Sequence, residues 1–174
     1  SLSKVNTIPA GSEIHLRHGA GHLNADYKKI LTRGALGIIE EVQSKLNVET
    51  DPDKIDFYTS LIIVYQAFID FAKRYAELAI EMAKNEKDIK RKNELMEIAR
   101  ICTKVPAYPA ETFHEALQSF WFTQILLFGI DQEDTAISPG RMDQYLYPYY
   151  KADIESGRAT KDDIQELIEL LFIK

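Results

Sequence analysis

The chain has 174 residues, of which 45% are hydrophobic and 28% are charged. This composition is ordinary for a globular chain and excludes an intrinsically disordered one. The formal net charge is −6 and the acidic excess falls mainly in residues 131–174, so a nucleic-acid-binding surface, which would be basic, is not expected.

The cysteine count and the hydropathy of the sequence indicate the cellular compartment of the protein. The single cysteine, Cys102, cannot form an internal disulfide and fits a reducing environment. The sequence shows neither a signal peptide nor a run of about 18 apolar residues. We therefore expect a cytoplasmic protein that binds neither membranes nor nucleic acids.

Residues 1–21 form the first segment, and prolines and glycines predict that it is irregular. Three histidines, His15, His18 and His22, lie at its end and just beyond it. A metal site is one interpretation of the cluster, because imidazole is a common ligand. The glycines between these histidines leave their spacing undefined and no further ligand motif accompanies them, so we expect no metal there.

The rest of the chain has helical periodicity, which predicts a mainly α fold. Start signals are present at Asn24, at Asp51-Pro52, at the capping box Thr112-x-x-Glu115 and at Thr160-x-x-Asp163. The predicted helices cover about residues 25–46, 52–85, 87–104, 113–130, 141–156 and a last segment that follows Thr160.

Two of these helices carry more apolar surface than a small bundle can cover. The middle of the second, Leu61 to Ala79, is apolar on most faces, and so is the body of the fourth. We expect the fourth helix to be central. We expect the second to be buried by several neighbours, with part of its cover coming from a larger remainder or from an oligomer.

A tight loop separates the fourth and fifth helices. Ser138-Pro139-Gly140 is a turn sequence, and Arg141 opens a helix rich in tyrosine. Pro148 should kink or split that helix. Such loops often carry binding residues, although many are only connectors.

Cys102 and the Glu111-x-x-His114 motif are two further candidates for a catalytic or metal-binding role, and a structural role is favoured for both. Cys102 lies on the apolar stripe of the third helix without the electropositive setting that a reactive thiolate needs, so we expect a small buried side chain. Glu111-x-x-His114 has the spacing found in di-iron bundles, but a second copy is missing from the sequence.

Several stretches, taken in order, resemble the glycyl radical enzymes, a group that includes pyruvate formate-lyase and the glycerol, diol, choline and hydroxyproline lyases and dehydratases. The main one is the stretch from Ser138 to Tyr150. The others are Gly21-His22 with Asp26-Tyr27, Arg74 to Ala79, Val105-Pro106-Ala107, and Thr112 to Gln118. Together they run from about His22 to Lys174.

The resemblance implies a fold, a chemistry and a set of partners. The chain would be one partial domain, residues 1–174, forming a helical portion of the ten-stranded α/β barrel of these enzymes. The catalytic cysteine and the radical-bearing glycine loop belong to later motifs, so this chain is expected to carry no catalytic residue, to bind no cofactor and to be inactive alone. The parent enzyme would carry a protein-based glycyl radical, installed by an S-adenosylmethionine-dependent activating enzyme, and would act on a small organic substrate, as a homo-oligomer, in anaerobic metabolism.

The same resemblance suggests which residues approach the substrate. They are His22 in the turn before the first long helix, and Thr135, Ala136 and Ser138 in the loop. Asp134 and Arg141 would brace this loop, with Arg141 pairing with either Asp134 or Asp143. Relatives that act on glycerol commonly have Asn-Gly-His-Ser before Ser-Pro-Gly-Arg, whereas this chain has Glu133 to Ala136, which places a glycerol-type substrate in doubt.

Two hypotheses about function follow. The first is a segment of a glycyl radical lyase, dehydratase or formate acetyltransferase that supplies scaffold and part of the substrate pocket. The second is a stand-alone helical interaction protein that uses its apolar helices to bind a partner.

Overall fold

The computed structural model describes residues 23–131 and 137–173. These residues form six α-helices, one short π-helix and two strands of two residues each. In chain order the elements are β1 (Leu23–Asn24), α1 (Tyr27–Leu46), α2 (Pro52–Asn85), α3 (Ile89–Lys104), α4 (Phe113–Ile125), the π-helix (Leu126–Asp131), β2 (Ile137–Ser138), α5 (Met142–Glu155) and α6 (Lys161–Ile173). The mainly helical fold expected from the periodicity is confirmed.

The starts of α2, α4 and α6 follow the signals in the sequence. The Asp51 carboxylate accepts a hydrogen bond from the Asp53 amide, so α2 begins at Pro52 as predicted. Thr160 and Asp163 exchange hydrogen bonds at the start of α6, in a reciprocal capping box. The third helix starts two residues later than predicted, because Asp88 is its cap.

The prediction for the start of α1 is wrong. The side chain of Asp26 accepts from the Lys29 amide at 3.1 Å and caps the helix, which begins at Tyr27. Asn24, the predicted cap, instead belongs to β1. Its backbone is committed to pairing with β2, a partner 114 residues further along the chain that local patterns cannot reveal.

Helix α1 is interrupted at Gly34, where φ is 67° and ψ is 165°. The linker that follows α3 enters this break. The carbonyls of Pro106 and Ala107 accept hydrogen bonds from the amides of Ala35 and Leu36 at 2.7 and 3.0 Å. The backbone groups released by the break are therefore satisfied by the linker rather than by the next turn of the helix.

Helix α4 lies at the centre, as predicted, and packs against α1, α3, α5 and α6. It buries apolar side chains such as Ala116, Phe120 and Phe122. The continuous helix predicted to residue 130 is an α-helix only as far as Ile125. Beyond that point the backbone widens into the π-helix.

Glu115 and Asp153 are two buried carboxylates that tie other elements to the start of α4. Glu115 is 1% exposed and accepts hydrogen bonds from Arg100 at 2.9 Å and from the Glu111 amide at 2.8 Å, while Lys104 lies 2.8 Å away. The sequence predicted Glu115 as a capping-box partner of Thr112. The Thr112 hydroxyl does accept from the Glu115 amide, but the carboxylate turns to the Glu111 amide instead.

Asp153 comes from α5, and it is 3% exposed. It accepts a hydrogen bond from the Phe113 amide at 2.8 Å, and its other oxygen bonds the guanidinium of Arg158. The first free amide of α4 is thus satisfied from an element 40 residues away.

The burial of α2 is one-sided in the described part of the chain. Helices α1 and α3 cover a stripe that includes Phe68, Ile69 and Ala72. Ile63 and Leu78, on other faces, keep 63% and 54% of their surface exposed, so the described residues do not provide the burial predicted for most faces of this helix. By length and composition α2 could also cross a membrane, but long core helices pass the same test.

Helix α5 is continuous through Pro148, so of the predicted kink or split, the split is wrong. Pro148 and Gln144 both lie on the exposed side of the helix. Because proline has no amide hydrogen, the Gln144 carbonyl lacks its usual donor at position 148. Water can bind this exposed carbonyl instead, and the helix continues.

Candidate functional site

Two distant segments meet at the pairing of β1 with β2. The strands are parallel, and Leu23 lies opposite Ile137 while Asn24 lies opposite Ser138. Because the pairing is parallel, both strands begin at the same end of the ladder. In the sequence, His22 immediately precedes one strand and Ala136 immediately precedes the other.

Four of the predicted site residues, His22, Asp134, Thr135 and Ala136, lie outside the described residues. Their contact with a substrate, and the bracing role of Asp134, stay predictions. What the fold establishes is that the segments carrying them lead into neighbouring strands.

A tight turn follows β2. The Ser138 hydroxyl accepts a hydrogen bond from the Gly140 amide at 3.2 Å. Gly140 has a φ of 62°, and a Cβ at this position would lie 2.7 Å from the side-chain amide of Asn24. The turn therefore packs directly on β1, and Ser138 has a local role in it, while its contact with a substrate stays a prediction.

Arg141 and Asp143 form an exposed ion pair at the start of α5. The guanidinium donates two hydrogen bonds to the carboxylate, at 2.9 and 2.7 Å. The hydrogen bond from Arg141 holds the pKa of Asp143 below its usual range. Of the two partners predicted for Arg141, Asp143 is the one found among the described residues; whether this pair braces the loop stays a prediction.

A partly buried polar contact also holds β2 from the side of α4. The Tyr27 hydroxyl donates to the Gln124 side-chain oxygen, and the Gln124 amide nitrogen donates to the Ile137 carbonyl at 3.0 Å. Sequence reasoning missed Gln124. The available signal was weak, because Gln118 and Thr123 are also polar residues of α4; a partly buried amide does, however, need partners.

Tyr145 on α5 holds the turn from the other side. Its hydroxyl donates to the Pro139 carbonyl at 2.7 Å, and its ring stacks on that of Tyr27 with centroids 5.7 Å apart. Burial raises the pKa of Tyr27 to about 12 and also raises the pKa of Tyr145. Both hydroxyls therefore stay protonated, as donors, across the physiological range.

An open cleft of about 390 Å³ lies beside this turn, between the start of α1 and the first half of α5. Asn24, Lys28 and Arg141 contribute polar groups to its wall, and Tyr145 and Tyr149 contribute aromatic ones. The predicted aromatic surface of α5 is thus partly structural, because Tyr149 also donates to the Leu31 carbonyl at 3.3 Å.

Of the remaining chemical candidates, Cys102 and Glu111-x-x-His114 fall within the described residues. Within residues 23–131 and 137–173, no group of three His, Cys, Asp or Glu side chains could hold a metal ion. His15 and His18 lie outside these ranges. Cys102 is buried in the core, and burial raises the pKa of its thiol to about 11.

We expect Cys102 to react slowly with thiol reagents. Raising a thiol pKa from 9.0 to about 11 lowers the thiolate fraction near pH 8 by about 100-fold, and burial slows access further. The measurement is the rate of alkylation by iodoacetamide in buffer and in concentrated urea. A native rate close to the unfolded rate would contradict the buried assignment.

Comparison with known proteins defines the class. The family described as "Pyruvate formate lyase-like" matches residues 4–174, and the chain belongs to this family. Its relatives and structural neighbours are glycyl radical enzymes.

Particular relatives show how much of such an enzyme is covered. The chain is 43% identical to the isethionate sulfite-lyase of Nitratidesulfovibrio vulgaris over 155 residues, which are 85% of this chain and 19% of that protein. It is also similar to a solved structure on 1,2-propanediol dehydration in Roseburia inulinivorans, with a TM-score of 0.83, 43% identity and coverage of 87% and 18%. The glycerol-bound form of the B12-independent glycerol dehydratase from Clostridium butyricum gives a TM-score of 0.79, 45% identity and coverage of 86% and 19%. The chain therefore spans about a fifth of the length of these proteins.

Proposed function

We propose that this chain supplies helical scaffold and part of the substrate pocket of a glycyl radical lyase or dehydratase. The observation that carries the proposal is the family match over residues 4–174. The parallel pairing of β1 with β2 supports it, because the two segments predicted to approach the substrate lead into this pair.

In this proposal the chemistry lies elsewhere in the enzyme. A glycine-centred radical, passed to a cysteine, would remove a hydrogen atom from the substrate. Cys102 does not fit the role of that cysteine, because it is buried in the core and its pKa is raised. The residues of this chain would bind and orient the substrate and would be inactive by themselves.

The substrate class is narrowed by the loop sequence. Among the relatives, one is an isethionate sulfite-lyase and another is a glycerol dehydratase. Glycerol-type relatives carry a histidine before Ser-Pro-Gly-Arg, and its imidazole could form a hydrogen bond with a hydroxyl group of the substrate. This chain has Thr135 and Ala136 in that stretch and therefore lacks the imidazole. We favour a small polar substrate other than glycerol; formate acetyltransferase activity is the next candidate.

The proposed partners follow from the same assignment. They are the remainder of the enzyme, a second copy in a homo-oligomer, and an S-adenosylmethionine-dependent activating enzyme. The setting would be the cytoplasm of an anaerobic cell, and we expect no membrane or nucleic acid to be involved.

One observation favours the alternative, a stand-alone interaction protein. Apolar side chains on α2 such as Ile63 and Leu78 are more than half exposed and could bind another protein. The family match accounts for the same surface with fewer assumptions, because the rest of the enzyme would cover it.

The test uses the full-length protein that contains this segment, purified without oxygen and treated with an activating enzyme and S-adenosylmethionine. Electron paramagnetic resonance should detect a glycyl radical. Isethionate, 1,2-propanediol, glycerol, and pyruvate with coenzyme A are then assayed separately. Absence of a radical after activation, under conditions that activate a known relative, would contradict the proposal.

A loop variant tests the pocket role. Ala136→Phe should raise KM for the substrate by about tenfold or more, because a bulky ring would occupy the proposed pocket, while the radical content stays unchanged. Ala152→Phe, at an exposed position of α5, is the matched control and should leave KM within about twofold. Equal kinetics for the two variants would remove Ala136 from the pocket.

A further inference from the structure

One face of the central helix α4 is only partly covered by the other described elements. Helices α1, α3, α5 and α6 pack against α4, and they bury Phe120 and Phe122. Trp121 and Ile125 share another face, because they are four residues apart, and both keep part of their surface accessible. On this face α4 has room for a further neighbour.

Two adjoining clefts lie along the partly covered face. The first, of about 400 Å³, is bounded by α2, α3 and α4. The second, of about 330 Å³, is bounded by α3, α4 and α6. They form one continuous groove, here called the α4 groove, because four residues line both clefts: Arg91, Ile98, Gln118 and Trp121.

The walls of the α4 groove are apolar and open to solvent in this structure. Leu78 and Met82 of α2 are 54% and 48% exposed on one side, and Leu170 of α6 is 51% exposed on the other. Burial lowers the pKa of His114, so Arg91 is the only charged side chain at neutral pH among the described residues that line the groove. A continuous exposed apolar surface of this kind marks a contact with another protein segment.

The length of the α4 groove fits a helix. Its floor on α4 runs from His114 to Ile125, which is roughly 16 Å at 1.5 Å per residue. This length accommodates about three turns of a second helix, whose apolar side chains recur every three or four positions along one face. The groove therefore suits an amphipathic helix with its apolar face on Trp121.

The relatives indicate where such a helix comes from. The chain spans 19% of the isethionate sulfite-lyase that it resembles and 18% of the solved structure on 1,2-propanediol dehydration. About four-fifths of each relative therefore lies outside the matched segment. A segment of the same polypeptide has a high effective concentration near the groove, so it occupies such a surface in preference to a second copy of the protein.

We propose that a helix from the remaining four-fifths of the enzyme lies in the α4 groove and packs on Trp121 between α2 and α6. The inference rests on the proposed function, because it takes the chain as a segment of a longer glycyl radical enzyme. It adds the surface on which this segment and the remainder meet. A single docked helix spans both clefts, so Leu78 and Leu170 become buried together.

The first experiment measures thiol protection in the full-length protein, without activation. Leu78→Cys and Leu170→Cys are introduced singly, and the rate of alkylation by iodoacetamide at each new thiol is followed by peptide mass spectrometry, in buffer and in concentrated urea. Ile89→Cys is the matched control, because Ile89 is 76% exposed on α3 and does not line the groove. We expect each groove thiol to react about 100-fold more slowly in buffer than in urea, and the control thiol to differ by less than about tenfold. An unprotected thiol at either groove position, or equal protection at all three positions, would overturn the inference.

The second experiment tests whether one helix spans both clefts. Leu170→Asp places a carboxylate in the wall on α6, and burial of an unpaired charge under the docked helix is unfavourable. We expect the alkylation rate of the Leu78→Cys thiol, on the opposite wall, to rise by about tenfold or more in this background. Ile89→Asp, the control, should change that rate by less than about twofold. Equal rates in the two backgrounds would overturn the inference.

Dilution distinguishes the remainder of the enzyme from a second copy. A helix of the same polypeptide protects the Leu78→Cys thiol equally at every protein concentration, whereas a dimer contact protects it less as the protein is diluted. Protection that fades over a 100-fold dilution would overturn the inference in favour of a second copy.

The thiol measurements need neither a radical nor a substrate, so they are independent of the test of the proposed function. A protein that forms no radical but protects both groove thiols contradicts the proposed function and supports the docked helix. An active enzyme in which both groove thiols react as fast as in urea supports the proposed function and overturns the docked helix.

Discussion

Gly34→Ala is expected to destabilise the chain by about 3–5 kcal/mol, the largest effect of any single substitution considered. Gly34 has φ 67° and ψ 165°, a region of backbone space that is essentially restricted to glycine. A Cβ at this position would also lie 2.6 Å from the Ala107 carbonyl oxygen and from the Tyr108 carbonyl carbon. Both are backbone atoms of the linker that fills the break in α1, so neither can move aside cheaply.

Gly37→Ala is the matched control in the same helix. A Cβ there would meet only the Arg33 side chain, at an ordinary 3.6 Å, so the substitution should stabilise the helix by about 0.5–1 kcal/mol. Urea denaturation followed by circular dichroism measures both changes. Similar unfolding midpoints for the two variants would show that the break at Gly34 does not contribute as described.

Glu115→Ala should cost about 2–3 kcal/mol, the second-largest effect. The carboxylate is fully buried, and its removal leaves the Glu111 amide and parts of Arg100 and Lys104 without their acceptor. The expected value stays below that of a fully enclosed ion pair, because the side chain of Arg100 is 49% exposed and can be hydrated.

Glu97→Ala is the control, since Glu97 bonds the same guanidinium at 2.8 Å but is itself 48% exposed. Exposed pairs contribute at most about 1 kcal/mol, so this change should be small. Denaturation midpoints at neutral pH compare the two variants. A larger loss in Glu97→Ala would contradict the assignment of Glu115 as the central acceptor.

Glu115 should also contribute to the acid dependence of stability. Burial alone would raise the pKa of Glu115, but the hydrogen bonds from Lys104, the Glu111 amide and Arg100 outweigh it, and the pKa lies below the usual value. A carboxylate with a lowered folded-state pKa contributes stability above its unfolded pKa, about 4.3, and loses this contribution as pH falls through the folded value. We expect Glu115→Gln to flatten the fall in stability below about pH 4.5. An unchanged slope, measured by urea denaturation between neutral and acidic pH, would contradict this expectation.

Local sequence signals predicted elements that depend on a few adjacent residues. Asp51-Pro52 predicted the first turn of α2, because its cap bonds an amide two residues away. Thr160 and Asp163 predicted the start of α6 for the same reason. Cys102 was placed correctly because the apolar stripe of a helix repeats every three or four residues.

The candidate site was predictable only in outline. The Ser138-Pro139-Gly140 sequence predicted the turn after β2, and the family match confirms the class that the resemblance predicted. Neither signal identified Gln124, whose partners Tyr27 and Ile137 are 97 and 13 residues away in the sequence. Asp153 was missed for the same reason, since it bonds an amide 40 residues earlier.

The sequence by itself determined the helices, most of their starts and the family, because each depends on residue types at fixed short spacing. Only the tertiary structure decided the break at Gly34, the pairing of β1 with β2 and the hydrogen bond from Gln124 to Ile137. In each of these, a backbone group finds its hydrogen-bond partner in a distant segment, and a linear pattern carries no record of which segments become neighbours.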